Sequence, residues 1–282
     1  MKGRSIAAVV VTLVFAAVSA YAQDRTGSPH LRSLQELVLT DGSHVYGTVE
    51  RESSTEVEFR TIVGALLTTP RHQIVTIRPV IGRMVGGEFR REDPNNTRLL
   101  FGPTGRSLPK GEVYLGVYEA LMPFVQVGIT DRISIGGGTP LIFNDDDFGR
   151  LYWLTPKVQL FSGNGLHVAA GLFQGFAGDE HAGIAYGVVT REVRSGAVTV
   201  GAGLGYKSGG GQGGVVMIGG EAPVRRNIKW VTENYVWDGA IVSSGGFRFF
   251  GERLSADLAL GFIINGEDPV IPFPVVNFVY RF

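Results

Sequence analysis

The stretch that decides the fold is residues 275–282, which read Val275-Val276-Asn277-Phe278-Val279-Tyr280-Arg281-Phe282. A period of two assigns two faces to it, Val276, Phe278, Tyr280 and Phe282 against Val275, Asn277, Val279 and Arg281. The first face is apolar and aromatic, and the second is mixed. The sequence stops on Phe282 without the polar residues that usually end a soluble chain. The stretch therefore predicts a strand that lies between two different environments.

A final strand that ends in Phe, with an aromatic residue two positions earlier, resembles the C-terminal signature of bacterial outer-membrane β-barrels. The resemblance is carried by Phe278, Tyr280 and Phe282. It implies a membrane-spanning barrel surrounded by outer-membrane lipid, and it implies that these three residues form an assembly signal for the barrel-assembly machinery. We expect that deleting Phe282 impairs membrane assembly more than it alters any soluble property.

The N-terminus predicts export. Lys2 and Arg4 precede an apolar run over 6–18, and Ala20-Tyr21-Ala22 forms an A-x-A cleavage site. We interpret residues 1–22 as a signal peptide, with an uncleaved anchor helix as the alternative, because the run is short for a membrane helix. No later segment reaches the roughly 18 continuous apolar residues of a membrane helix. A mature chain in a membrane would therefore span it as strands.

Composition excludes several classes of function. The 26 basic and 26 acidic residues balance, so the chain has no bulk field that would attract nucleic acid. It has no cysteine, which excludes disulfides, lipid-modified cysteine and thiolate chemistry. Glycine is abundant, at 41 of 282 residues, about twice its usual share.

Residues 34–80 predict a small five-stranded β unit. Short strand-like runs are separated by turn residues such as Asp41-Gly42 and Ser53-Ser54. The run from Leu39 to Val49, with Val57-Glu58-Phe59 and Ile74-Val75-Thr76-Ile77, resembles the Sm-like and SH3-like small barrels. This copy is locally acidic and exported, so we expect a periplasmic module that contacts protein or peptidoglycan, not RNA.

Residues 81–110 are rich in Gly, Pro, Asn and Arg, and they predict a linker and lead-in rather than a packed element. Within them, Asn96-Thr97-Arg98-Leu99-Leu100-Phe101-Gly102-Pro103, followed by Lys110-Gly111-Glu112, resembles the start of the barrel in a group of uncharacterised outer-membrane proteins. That resemblance implies no activity.

Residues 111–282 consist of runs of about ten residues with turn signals between them. We therefore predict an all-β fold, a transmembrane antiparallel up-and-down barrel. The predicted strands are 112–121, 124–129, 133–142, 151–161, 166–176, 184–193, 197–206, 215–222, 228–237, 241–250, 254–264 and 271–282. The count of twelve requires a turn at Met122-Pro123, and bacterial barrels of one chain have even strand numbers. A barrel of ten strands and a soluble sandwich or jelly roll are the alternatives.

Short and long connections alternate along this region, as expected for periplasmic turns and external loops. The predicted short turns include Thr130-Asp131 and Gly251-Glu252, and the predicted external loops include 144–149, 177–182 and 207–213. Two features fit the barrel poorly. Strand 228–237 has apolar residues on both faces, and Pro156 costs its strand one hydrogen bond because proline has no N–H.

The barrel prediction assigns polar residues to the interior. A Lys on the lipid face near the midplane costs roughly 2–4 kcal/mol, so Lys157 should point inward. The predicted lumen-lining residues are Gln126, Lys157, Gln159, Arg248, Asp257, Asn277 and Arg281. Mixed charges can pair across the lumen or line a narrow aqueous path. Inward glycines at 201, 203 and 205 leave space for a solute or for the lead-in segment as a plug.

Candidate catalytic groups are sparse. Asp179-Glu180-His181 lies in a predicted external loop and could join Asp145, Asp146 and Asp147 as a hydrolase site, although a solvated acidic loop explains the same residues. We interpret His167 as a lumen or rim residue. We predict no catalytic, cofactor-binding or metal residues, and a non-enzymatic outer-membrane structural protein or narrow porin-like channel. The alternatives are an outer-membrane hydrolase and a soluble periplasmic β protein.

Overall fold

The computed structural model describes residues 34–80, 82–85, 88–141, 151–194, 196–237, 239–265 and 269–282. The predicted signal peptide and Asp145, Asp146 and Asp147 lie outside the described residues. Among the described residues, no helix is long and apolar enough to cross a membrane. The chain divides into two compact units, one over Pro29–Glu92 and one that contains Asp93–Phe282.

The first unit contains the predicted five-stranded antiparallel sheet. Its strands are β1 (Gln35–Leu39), β2 (His44–Glu52), β3 (Glu56–Thr61), β4 (Leu66–Pro70) and β5 (Ile74–Pro79), with a 3-10 turn at Arg71–Gln73. They lie in the order β4-β3-β2-β1-β5. A hairpin of β6 (Gly82–Val85) and β7 (Glu88–Arg91) follows. Leu37, Val57 and Phe59 are fully buried, so the alternating apolar residues of β1 and β3 form the core.

The buried carboxylate of Glu36 connects three strands of this sheet. Glu36 on β1 accepts hydrogen bonds from Tyr46 Oη at 2.8 Å and Arg78 Nε at 2.8 Å, and His44 Nδ1 lies 2.9 Å from it. Burial opposes ionisation of Glu36, but these hydrogen bonds and the charge of Arg78 together lower its pKa below the usual value. The ionised carboxylate therefore joins β1 to both β2 and β5.

The second unit is a closed antiparallel barrel. Its strands are β8 (Val113–Tyr118), β9 (Met122–Gly128), β10 (Ile133–Gly138), β11 (Leu151–Leu154), β12 (Lys157–Gly163), β13 (Leu166–Ala177), β14 (Glu180–Val193), β15 (Gly196–Lys207), β16 (Gln212–Arg225), β17 (Ile228–Trp237), β18 (Ala240–Phe250), β19 (Leu254–Asn265) and β20 (Ile271–Arg281). Because β11 and β12 are two halves of one strand, these segments make the predicted twelve strands. The pairing of β20 with β8 and of β8 with β9 closes the sheet, so the alternative of ten strands is wrong.

Pro156 explains the break between β11 and β12. Both halves pair with β13, and Leu172 N donates to the Pro156 carbonyl at 3.0 Å. The strand loses the donor that proline lacks and continues on the other side of it. The predicted cost of Pro156 is therefore confined to one gap in an otherwise continuous ladder.

Two predicted connections differ from the observed ones. Met122-Pro123 belongs to β9, and the turn lies at 119–121, where Glu119 and Ala120 have φ of 50° and 55°. Positive φ at two successive positions matches the twist of a tight hairpin, so the chain reverses before the proline. Residues 177–182 do not form a long loop, because β13 and β14 pair as far as Ala177 and Glu180. We name the end formed by turns 119–121, 178–179 and 208–211 the upper rim, and the end formed by turns 129–132, 164–165 and 226–227 the lower rim.

The outer face of the barrel is apolar. Leu254, Leu258, Leu260, Phe262 and Ile264 of β19 are exposed, as are Val198, Val200 and Leu204 of β15. The register resolves the ambiguity of β17, because Val231 pairs with Glu221 and Gly246 on the inside while Trp230 and Val236 remain exposed outside. Strand β17 therefore carries apolar residues on both faces because part of the barrel interior is also apolar.

The interior is filled in part by residues 93–109, which we name the plug segment. Leu99, Leu100 and Thr104 are completely buried, and Leu108 is almost so. The predicted linker and lead-in over 81–110 therefore includes a packed part, because the residues from Asp93 lie inside the barrel, as in the alternative in which the lead-in segment is a plug. The Pro, Gly and Asn residues that suggested a solvated loop instead form compact turns within the barrel.

Candidate functional site

The plug segment folds back on itself inside the barrel. Thr104 N donates to Thr97 O at 3.0 Å and Leu99 N donates to Gly102 O at 2.9 Å, so residues 99–102 form its tip. Asn96 N donates to Asp93 O at 3.1 Å and closes the turn that contains Pro94. Proline and glycine supply the tight reversals that such a short hairpin needs. The segment therefore satisfies part of its own backbone and offers the remaining groups to the barrel wall.

Arg248 on β18 donates four hydrogen bonds to the plug segment. Its guanidinium binds Asp257 on β19 at 2.5 and 2.9 Å and Asp93 of the plug at 3.0 Å. It also donates to the carbonyls of Asn95 at 2.8 Å, Arg98 at 3.1 Å and Leu99 at 2.5 Å. Its side chain is completely buried, so these acceptors replace all of its hydration. The planar fork of arginine can satisfy two carboxylates and three carbonyls, which a point charge cannot.

A second ionic cluster lies beside Arg248 and shares Asp93 with it. Lys229 on β17 binds Asp93 of the plug at 2.5 Å and also contacts Glu221 on β16. Arg106 of the plug binds Glu221 at 2.7 Å and lies 3.4 Å from Glu192 on β14. Positive and negative groups alternate, so each buried charge has an opposite neighbour. The cluster fixes both ends of the plug segment to three neighbouring or nearby strands.

The plug tip is held by a carboxylate and an apolar cluster. Glu233 on β17 accepts the backbone N–H groups of Phe101 and Gly102 at 3.0 Å, and Tyr235 Oη donates to it at 2.6 Å. The apolar cluster consists of Leu99 and Leu100 packed with Ala169, Val188, Met217, Val231 and Val275. Polar and apolar contacts thus cooperate to hold the tip across the middle of the barrel.

The predicted lumen-lining residues face the inside of the barrel, and most of them contact the plug. Lys157 Nζ donates to the carbonyls of Thr97, Thr104 and Arg106, the last at 2.7 Å. Gln159 Nε2 donates to Gly105 O at 2.9 Å, and Asn277 Nδ2 donates to Leu100 O at 3.0 Å. Gln126 accepts from Arg98, whereas Arg281 pairs with Glu112 at the rim. The structure therefore assigns to most of these side chains a plug-binding contact instead of an open aqueous wall.

The predicted assembly residues lie on the outer face. Phe278, Tyr280 and Phe282 are 43%, 41% and 63% exposed, and the rings of Tyr280 and Phe282 meet edge to face at 5.1 Å. Trp230, Phe247 and Phe249 form a second aromatic group on the outer face near the same rim. Aromatic residues at a barrel rim suit the interface between lipid and water.

Sequence reasoning missed several interior groups, namely Arg98, Arg106, Glu221, Lys229 and Glu233. The strand residues among them carried a signal, because Lys229 and Glu233 share one parity of β17. A charge on the lipid face is costly, so this parity alone could have assigned both to the interior. Arg98 and Arg106 carried no such signal, because the pattern of a loop does not indicate whether it enters a barrel.

A cavity of about 270 Å³ remains above the plug. Aromatic and other apolar side chains form most of its wall, among them Phe101, Tyr118, Met122, Trp153, Phe173 and Tyr186. Its polar lining includes Arg98, Gln126, Thr155 and Lys157. Phe173 is 45% exposed although it points inward, so the cavity is open toward the upper rim. The interior therefore combines a packed lower part with a hollow, largely aromatic upper part.

The residues considered for catalysis do not assemble a reaction centre within the described chain. Glu180 binds the Ser208 hydroxyl, and the His181 backbone N donates to the same oxygen at 3.2 Å. His167 shares a hydrogen bond of 2.9 Å with Ser162, but its Nε2 lies 3.6 Å from Glu192, which Arg106 also approaches. That distance is too long for the orienting hydrogen bond of a catalytic triad. Among the described residues, no cluster of three or more His, Cys, Asp or Glu could hold a metal ion.

Comparisons with known proteins return porin structures of low similarity. No protein family and no curated protein matches the chain. The KdgM porin in complex with disordered oligogalacturonate matches with a TM-score of 0.45 and 7% identity, over 61% of this chain and 98% of that one. The NanC porin matches with a TM-score of 0.44 and 7% identity, over 60% of this chain and 98% of that one. OmpT, an outer membrane protein of Vibrio cholerae, in a form that lacks loop L8, matches with a TM-score of 0.36 and 11% identity, over 88% and 96%. Similarity at this level assigns no family, ligand or activity to the chain.

Proposed function

We propose that the chain is a non-enzymatic outer-membrane barrel that acts as a narrow channel, closed in its lower part by its own plug segment. The apolar outer face supports a membrane position, because exposed side chains such as Leu204, Leu258 and Leu260 would face water in a soluble protein. Closure of the sheet supports the same position, because a closed barrel leaves no backbone hydrogen-bonding groups exposed to lipid.

The observation that carries the channel is the division of the interior. Arg248, Lys229 and Glu233 hold the plug through charged and polar groups, an apolar cluster holds its tip, and a hollow space continues above it. Contacts with water can replace the polar contacts, so a shift of the segment would open a path beside it. The plug therefore acts as a gate in a passage narrower than that of an open porin.

The proposed partners of the chain are the assembly machinery, outer-membrane lipid, and a protein or peptidoglycan in the periplasm. The aromatic residues Phe278, Tyr280 and Phe282 serve as the signal for the assembly machinery and as an anchor in outer-membrane lipid, which their outward exposure supports. Residues 34–80 serve as a periplasmic module that contacts another protein or peptidoglycan, and the resemblance to Sm-like and SH3-like barrels remains part of this proposal. The exposed apolar residues Val63, Leu66 and Val75 of that unit support an interaction role.

Conductance of the full chain in planar bilayers tests the gate. Glu233→Gln keeps one acceptor oxygen for the plug tip but places an NH2 group against a backbone N–H of Phe101 or Gly102. Hydrogen bonds to charged groups contribute about 1.5–3 kcal/mol, so the open fraction should rise about tenfold or more. We expect rare small openings for the unmodified chain and frequent openings for the variant.

Glu180→Gln is the matched control, because Glu180 binds Ser208 at the upper rim and has no contact with the plug. Its conductance should equal that of the unmodified chain. Absence of any conductance from Glu233→Gln, in protein that still shows heat-modifiable migration, would contradict the channel.

A further inference from the structure

A buried guanidinium at the floor of the cavity has no anionic partner. Arg98 donates to three neutral oxygens, those of Tyr114 at 2.8 Å, Gln126 at 2.7 Å and Tyr118. Among the described residues, Arg98 forms no ion pair, in contrast to Arg106 and Arg248. Glu233 does not act as a counter-ion for Arg98, because its oxygens accept hydrogen bonds from Phe101, Gly102 and Tyr235. A buried charge without a counter-ion is costly, so this position favours an anion from outside the chain.

The geometry of Arg98 suits a carboxylate. A guanidinium has five N–H donors, and the three bonds within the described chain leave one free N–H on each terminal nitrogen. N–H groups on both terminal nitrogens can bind a carboxylate through both of its oxygens. The ring of Phe124 lies 4.9 Å from Cζ and supports one face of the guanidinium, which keeps the fork in a fixed plane.

Lys157 holds the plug backbone beside the same floor. It is buried and lines the cavity, and its three donors go to backbone carbonyls of the plug. One of these carbonyls belongs to Thr97, the residue before Arg98. Lys157 therefore fixes the backbone that carries Arg98, while Arg98 supplies the hydrogen bonds to the ligand.

The cavity walls above Arg98 favour a ligand whose main part is apolar. Phe101, Tyr118, Trp153, Phe173 and Tyr186 surround the cavity, and its volume of about 270 Å³ suits a molecule with a single ring. Flat aromatic walls stack best on a flat aromatic ligand. A sugar or a polyanion would leave most of its polar groups without partners there, which is costly in a site of this composition.

We propose that the cavity is a binding site for a small monocarboxylate with an aromatic body, with its carboxylate on Arg98 and its ring between the aromatic walls. The inference rests on the proposed function only for the route by which the ligand reaches the cavity, because binding itself requires no passage. The plug segment then has two tasks, since it closes the lower part of the barrel and supplies the anion-binding residue of the upper part.

Isothermal titration of the full chain in detergent micelles with hydrocinnamate tests this site. We expect saturable binding with one ligand per chain, and binding at least about tenfold weaker for hydrocinnamamide, which has the same shape without the charge. Arg98→Gln should weaken hydrocinnamate binding by a similar factor and leave the weak binding of the amide unchanged. Hexanoate should bind more weakly than hydrocinnamate, because it cannot stack on the walls.

Arg253→Gln is the control, because it makes the same substitution at an exposed arginine that does not line the cavity. This variant should fold and bind hydrocinnamate normally. Equal binding of the acid and the amide, or unchanged affinity in a folded Arg98→Gln variant, would overturn the proposal. Binding without conductance would support the binding site and contradict the channel. Conductance without binding would support the channel and contradict the binding site.

Discussion

Arg248 shows how one residue can decide whether the barrel interior is compatible with folding. It forms ion pairs with Asp93 and Asp257, and it also binds three plug carbonyls. A buried ion pair contributes little more to the free energy of unfolding than two apolar residues at the same positions, because desolvation offsets most of the attraction. Loss of one partner alone is different, since it leaves the others charged and buried.

We predict that Arg248→Met lowers the free energy of unfolding by about 3–5 kcal/mol, because Asp257 then loses its cation and three carbonyls lose their donor. The free energy of unfolding of Arg248→Lys should lie between those of Arg248→Met and the unmodified chain, since an ammonium cannot reach the same set of acceptors. The temperature at which heat-modifiable migration is lost on gels measures the effect. Arg253→Met is the control, because Arg253 is exposed, and it should change little. Equal thermal resistance of Arg248→Met and Arg253→Met would contradict the role given to Arg248.

Residue parity predicted which strand side chains point inward, but it could not predict their partners. Lys157, Asp257 and Asn277 followed from alternation and the cost of charge in lipid. The partners of Arg248 are about 150 positions away in the plug, and pairs so distant depend on closure of the whole sheet. Arg98 could not be found at all, because a loop residue has no parity.

At the scale of elements, strands were more predictable than connections. Alternation located β15 and β19 almost to the residue, because each of these strands has an apolar outer face and a different inner face. The plug segment has the composition of a linker, since the same Gly, Pro and Asn residues form turns in water and inside a barrel. What distinguishes the two cases is the apolar pair Leu99 and Leu100 at its tip, which needs a buried environment.

The turn at 119–121 allows a prediction at this scale. Glu119 and Ala120 have positive φ, which costs an L-residue about 1–2 kcal/mol and glycine almost nothing. Ala120→Gly should therefore stabilise the barrel by about 1 kcal/mol, provided the hairpin keeps its shape. Denaturant unfolding in lipid vesicles measures the change. Ala185→Gly, on the outer face in the middle of β14, should instead destabilise the barrel by about 0.5–1 kcal/mol, and a loss of similar size in both variants would refute the turn assignment.

At the scale of the whole molecule, closure assigns a special position to β20. It pairs with β19, its neighbour in sequence, and with β8, which precedes it by more than 150 residues. The ring is complete only when this last pairing forms, and Phe282 N donates to Val113 O at 2.9 Å at the point where the two strands meet. An unclosed barrel would expose two strand edges to lipid. Assembly therefore depends on β20 more than on any strand whose two neighbours are adjacent in sequence.

We predict that Phe282→Ser lowers the amount of closed barrel in the outer membrane several-fold, while purified chain refolded in detergent keeps nearly its full thermal resistance. The side chain is 63% exposed and contributes little to packing, so its main effect should be on recognition during assembly. The fraction of chain with heat-modifiable migration, in membranes and after refolding, measures both. Phe249→Ser is the matched control, because Phe249 is an exposed aromatic residue of the same outer face on β18, and it should assemble normally. Equal assembly of the two variants would contradict a signal at the end of β20, since both residues lie exposed on the outer face and only Phe282 belongs to the predicted signal.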